Sequence, residues 1–150
     1  MTENVRDTHG FSLIEVLVTC ALISVLAGIS PPIVASGIKV YAINSAGQQV
    51  ASTIRAARFQ AVARNREHYV RFDYPADGQY QVRQMVAGVE EKGGEVQLLP
   101  TGVTFDAGAD DVHVLTSGRV EDASTITVTN GDADMDRTIT VSTSGRVQLQ

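Results

Sequence analysis

Gly10-Phe11-Ser12-Leu13-Ile14-Glu15-Val16-Leu17-Val18 opens the stretch whose reading decides the fold. Ahead of Phe11 the ten residues MTENVRDTHG are polar, and the 23 residues from Val16 to Ile38 contain no charged side chain. A membrane-spanning helix takes roughly 20 predominantly apolar residues, whereas the apolar part of a cleaved secretory signal runs to about 7 to 15. The length therefore points to a spanning helix. A secreted β domain behind an ordinary signal, cut near Leu26-Ala27-Gly28, is the alternative. Glu15 is the one charge between Phe11 and Ile38. A carboxylate at the bilayer centre costs about 2.5 to 3.5 kcal/mol, so Glu15 needs either a partner or a place at headgroup level.

Downstream, Pro31 and Pro32 remove backbone donors inside the helical run, which predicts a kink near Ser30. Beyond Lys39 the apolar residues thin to Ile43, Val50, Ile54, Ala57 and Ala61, a helical spacing that gives an amphipathic half ending near Asn65. Arg55, Arg58, Arg64 and Arg66 are the basic concentration of the chain. They read either as a contact surface for an acidic partner or phosphate, or as a solvated helix face with a favourable dipole term.

From Glu67 the period drops to two. His68 to Tyr74 and Gln79 to Val86 alternate around Pro75-Ala76-Asp77-Gly78, which predicts a β-hairpin. Shorter strands are expected at Val96–Leu99, Val103–Phe105, Val112–Leu115, Thr125–Thr129, Thr138–Val141 and Arg146–Leu149. The fold class is thus α+β: a long N-terminal helix packed against a small antiparallel head.

The opening stretch resembles the type IV prepilin signal, with a short polar leader, Gly then Phe at the join, a Glu four residues on and an unbroken apolar helix. The resemblance implies a leader at 1–10, a transmembrane half at 11–38, an amphipathic half at 39–66 and a periplasmic head at 67–150. It also implies cleavage by a prepilin peptidase between Gly10 and Phe11, N-methylation of Phe11, and pairing of Glu15 with the amine of a neighbouring subunit. The closing stretch Arg137 to Leu149 and the turn Leu115-Thr116-Ser117-Gly118-Arg119 resemble the GspH/FimT class of minor pseudopilins. Some members of that class take part in DNA uptake through a C-terminal Gly-Arg-x-Arg motif. Gly145, Arg146, Val147 and Gln148 stand at its place, with the second arginine missing.

Composition narrows the function. Twelve Lys and Arg against 17 Asp and Glu give a formal charge of −5, so nucleic acid is not an expected partner through bulk charge. A single cysteine, Cys20, excludes an intramolecular disulfide. His9, His68 and His113 stand in no catalytic or metal-binding motif, and neither an enzyme site nor a cofactor is expected. The acidic stretches at Asp106, Asp110 and Asp111 and at Asn130 to Asp136 suggest calcium. The second, however, has Arg137 and Thr143 where a calcium loop needs Gly and Glu, so no metal is expected. The implied function is that of a minor pseudopilin of a type II secretion system, anchored in the bacterial inner membrane near the tip of a periplasmic filament. Its partners would be other pseudopilins or pilins and, at the head, secreted protein cargo. A type IV pilus minor pilin is the alternative within the same fold.

Overall fold

The computed structural model describes residues 11–106, 109–131 and 135–150, with the side chains of 28–35 left aside; Gly10 and the rest of the leader lie outside the described residues. The chain divides into two compact units, one reaching Gly37 and one beginning at Ile38. Helix α1, Leu13–Arg64, supplies the described helical part of the first unit and the first element of the second. It ends where the hydrogen-bonding pattern requires. Asn65 turns to φ 50°, its N–H reaches the Val62 carbonyl, and the N–H of Arg66 reaches Ala61 at 3.1 Å, the two bonds of a Schellman cap.

Nine strands follow in the described residues: β1 His68–Phe72, β2 Gln79–Val86, β3 Val89–Lys92, β4 Gln97–Leu98, β5 Thr104–Phe105, β6 Val112–Val114, β7 Ser124–Thr129, β8 Arg137–Val141 and β9 Val147–Leu149. They form two antiparallel sheets, β3-β2-β1-β6 with β4 also on β2, and β5-β7-β8-β9. In β1 the side chains of His68, Val70 and Phe72 are buried while Tyr69 and Arg71 alternate outward. Strand β3, Val-Glu-Glu-Lys, was not anticipated from the sequence because it lacks apolar alternation. It forms because Ala87 at φ 51° and Gly88 at φ 81° make the tight turn that pairs Val86 with Val89.

One buried cluster joins the helix to both sheets. Ile43, Val50, Ile54, Ala57 and Ala61 are all at or below 1% exposure. They pack with Val70, Tyr80, Val112 and Val114 of the first sheet and Ile126, Val128, Ile139 and Val141 of the second. Phe105 of β5 closes the seam between sheets, with ring centroids 5.1 Å from Phe72 and 5.9 Å, edge-on, from Tyr80.

A second device ties the sheet ends to the helix. The pentapeptide Thr-Ser-Gly-Arg-Val occurs at 116–120 and again at 143–147. Both copies build the same three-residue hairpin loop: Gly118 N–H donates to Leu115 O and Leu115 N–H to Arg119 O, and Gly145 N–H and Ser142 N–H repeat the pattern. Gly118 and Gly145 occupy the left-handed position at φ 78° and 79°. The Arg58 guanidinium donates to both of their carbonyls, at 2.7 Å and 3.1 Å.

Gly145→Ala should therefore lower stability by at least ~3 kcal/mol, because its Cβ would strike the Gly118 carbonyl as well as incur the left-handed penalty. Gly78→Ala, with the same sign of φ but open space around it, should cost only about 1 to 2 kcal/mol. Urea melts of the two variants of the full chain in detergent provide the comparison, and equal costs would mean the glycine stack does not matter.

Candidate assembly site

At the start of α1, the Ser12 carbonyl accepts the first helical bonds, from Glu15 N–H at 3.0 Å and Val16 N–H at 3.2 Å. Glu15 thus sits in the first turn, where a carboxylate complements the positive end of the helix. Phe11 is 82% exposed, and Leu13, Ile14, Leu17, Leu22, Ile23, Val25 and Leu26 are exposed with it on all sides of the helix. Burying each such side chain is worth about 1.5 to 3 kcal/mol, so this surface gains from an apolar surrounding on every face. The polar side chains fit that surrounding too. Thr19 Oγ1 donates back to the Glu15 carbonyl at 2.8 Å, and Ser24 Oγ to the Cys20 carbonyl, leaving their hydroxyl protons satisfied within the helix. Among the described residues no helix is long and apolar enough to cross a membrane. The apolar sequence itself runs on through residues 28–35, whose side chains lie outside the described set. Pro31 and Pro32 fall there, and helix α1 is assigned without a break through both.

The densest group of titratable side chains lies on the outward face of the first sheet. Arg71 of β1 grips Glu90 of β3 with two bonds, at 2.8 and 2.7 Å, and donates to Asp111 at 2.6 Å. Arg83 of β2 adds a bond to Glu90 at 3.2 Å. Beside them His113 of β6 bridges Glu67 and Glu121 and stacks on Tyr69 at 4.1 Å. Glu90 hydrogen bonds raise the Arg71 pKa, and bonds from Arg71 hold the Glu90 carboxyl below its usual range. Burial, with Glu67 and Glu121 nearby, raises the Tyr69 hydroxyl. Each of these charged groups answers another, which makes the array a cross-strand staple. No group of three metal-ligating side chains occurs among the described residues, and Asp111 of the first acidic stretch is engaged by Arg71 and by the Phe72 N–H. Residues 132–134 of the second stretch and His9 lie outside the described set. His68 is fully buried, with Nδ1 3.0 Å from the Arg66 carbonyl.

The basic group expected on the helix is redistributed. Arg58 reaches the turn after β6 of the first sheet and the turn between β8 and β9 of the second, while Arg55 donates to the carbonyl of Val147 at the start of β9 at 3.3 Å. Arg64 sits about half a turn around the helix from Arg55, at roughly 100° per residue, and Arg66 lies past its end. Arg146 is exposed at the tip of the last hairpin, while the Gly145 carbonyl is held by Arg58. The pairing of the two Gly-Arg turns on Arg58 was missed in the sequence, although the repeated pentapeptide signals it.

Comparison with known proteins finds two family matches. The family described as type II transport protein GspH matches residues 46–145, and the prokaryotic N-terminal methylation motif matches residues 5–30. No curated protein matches the chain. Among solved structures, the minor pseudopilin EpsH of the type II secretion system of Vibrio cholerae is 18% identical, with a TM-score of 0.59, covering 72% of this chain and 95% of that one. The type IV minor pilin FimU of Pseudomonas aeruginosa is 19% identical, with a TM-score of 0.57, covering 71% and 91%. At these identities the likeness is one of fold.

The Glu90 staple yields a pH signature. A carboxyl whose folded pKa lies below its unfolded value of about 4.3 stabilises the protein fully above that value and loses its contribution as pH falls through the folded one. Glu90→Gln should cost on the order of 1 kcal/mol at neutral pH and much less at pH ~3. Paired melts at the two pH values check this; a cost unchanged by acid would remove the staple from the account.

Proposed function

The chain belongs to the type II transport protein GspH family, and on that footing we propose that it is a minor pseudopilin, a structural subunit near the tip of the periplasmic filament of a type II secretion system. The match over residues 46–145, joined to the methylation motif at 5–30, carries the proposal. Membership and motif together imply processing by a prepilin peptidase, an inner-membrane anchor and assembly with other pilins. The family is structural, and its members are not known as enzymes.

The residues give this a mechanism. Hydrolysis of the Gly10–Phe11 bond frees the Phe11 amine, which is then methylated, at the start of a helix whose apolar side chains are exposed on every side. In the bilayer those side chains face lipid; in the filament they face other helices, an exchange of one apolar surrounding for another. Glu15 pays heavily for either surrounding unless a cation answers it, and the Phe11 amine of a neighbour supplies one. Pairing thus favours one register of subunit against subunit. Pro31 and Pro32 place a weak point in the backbone hydrogen bonding between the anchored part and the head. The head, held in the periplasm, offers its loops to other minor subunits and to secreted cargo.

The likeness in fold to FimU supports a second reading, a minor pilin of a type IV pilus serving pilus assembly or DNA uptake. Deleting the chain separates the two. On the secretion reading exoproteins accumulate in the periplasm and return to the supernatant on complementation; an unchanged supernatant with lost pili or DNA uptake transfers the chain to the pilus. Gly10→Val should leave the leader attached, seen as a mature N-terminus at Met1, and Glu15→Ala should be cleaved and membrane-anchored yet fail to restore export. A cleavage site at Gly28 or beyond would contradict both filament readings.

A further inference from the structure

From the surface around Arg58 we infer a docking site for an acidic protein segment that also carries an aliphatic or aromatic side chain. Burial of one side of α1 leaves Phe59 74% and Val62 54% exposed on the other. With Arg55 and Arg58 these two line an open cleft on the second unit. The Arg58 guanidinium draws in the two Thr-Ser-Gly-Arg-Val turns by their glycine carbonyls, and the residue after each glycine, Arg119 or Arg146, is an exposed arginine. Three separated parts of the chain, carrying four arginines, thus meet at Arg58.

The charges there differ from those on the outward face of the first sheet. Arg71, Arg83 and Lys92 each meet a carboxylate, whereas none of the ion pairs among the described residues includes Arg55, Arg58, Arg119 or Arg146. In a chain of formal charge −5 this is a local reversal of sign. Charge complementarity therefore asks for carboxylates, and the exposed Phe59 asks for an apolar side chain between them. Nucleic acid fits less well. Its affinity grows with the number of phosphates neutralised, and here Arg55 and Arg58 already spend donors on backbone carbonyls while Phe59 and Val62 offer nothing to a phosphate. The inference is independent of whether the chain serves secretion or pili, since it rests only on this surface.

The test uses the full chain in nonionic detergent and a fluorescent peptide of alternating Glu and Leu, followed by anisotropy. A Lys–Leu peptide of equal length controls for the micelle, and a short DNA duplex is the competing class. The Glu–Leu peptide should bind, more weakly as salt rises. The Arg119→Glu/Arg146→Glu double variant should lose about tenfold in affinity and Phe59→Ser severalfold, while Arg64→Glu/Arg66→Glu, the same charge change away from the cleft, should lose little. Circular dichroism melts monitor folding, and Phe59→Ser carries the comparison if the double reversal lowers the transition. The inference is overturned if the Glu–Leu peptide binds no better than Lys–Leu, if the Arg64/Arg66 variant loses as much, or if the duplex binds more tightly than the peptide.

Discussion

The dimensions of one face of helix α1 govern the second unit. Ala46, Gly47, Ala57 and Ala61 keep that face thin, and a Cβ at Gly47 would already press on Leu149 and Arg137 at 3.0 and 3.3 Å. A strand can approach so closely only where the helix offers so little side chain. Ile43, Val50 and Ile54 fill the remaining space, and the two sheets meet over them. About 110 residues then share one core. Local fasteners add to that core: the aromatic seam at Phe105, the Schellman cap at Asn65 and the Arg58 clamp each hold a junction between elements.

How much of this was legible follows from what a linear pattern encodes. The helix and the β1–β2 hairpin were readable because 3.6- and 2-residue periods state which side chains face inward, at Ile43 to Ala61 and at Val70 and Phe72 alike. Strand β3 was not, since Val-Glu-Glu-Lys earns its place through Arg71 and Arg83 on neighbouring strands, partners that no local period reveals. The N-terminal methylation motif was legible for a related reason: it is a pattern of consecutive residues along the chain, so the signal is itself linear. The arginine surface is the opposite case. Proximity in sequence grouped Arg64 and Arg66 with Arg58, whereas folding groups Arg58 with Gly118 and Gly145, 60 and 87 residues away. Only the repeated Thr-Ser-Gly-Arg-Val hinted at it, by giving two loops one shape.

Charge is sorted between two surfaces with different consequences. On the first sheet the charges close on one another, and a pair already satisfied has little to gain from a partner. Around Arg58 the donors aimed inward are spent on carbonyls, while Arg119 and Arg146 on the flanking turns enter no ion pair among the described residues. The first arrangement resists shear between strands; the second keeps electrostatic free energy in reserve for an encounter.

The two units place opposite demands on one helix. On the proposed function, bilayer and then neighbouring helices surround the part up to Gly37, which must be apolar all round; the part from Ile38 need be apolar on one side only, because the sheets cover one side. The second pattern cannot be slid into the place of the first without bringing Lys39, Arg55, Arg58 and Arg64 unpaired into an apolar surrounding. The changeover near Lys39 therefore fixes how far the chain can enter an apolar surrounding. On the filament reading proposed above, that depth holds Glu15 in the first turn at one level in an apolar surrounding, where a neighbour's amine selects a register.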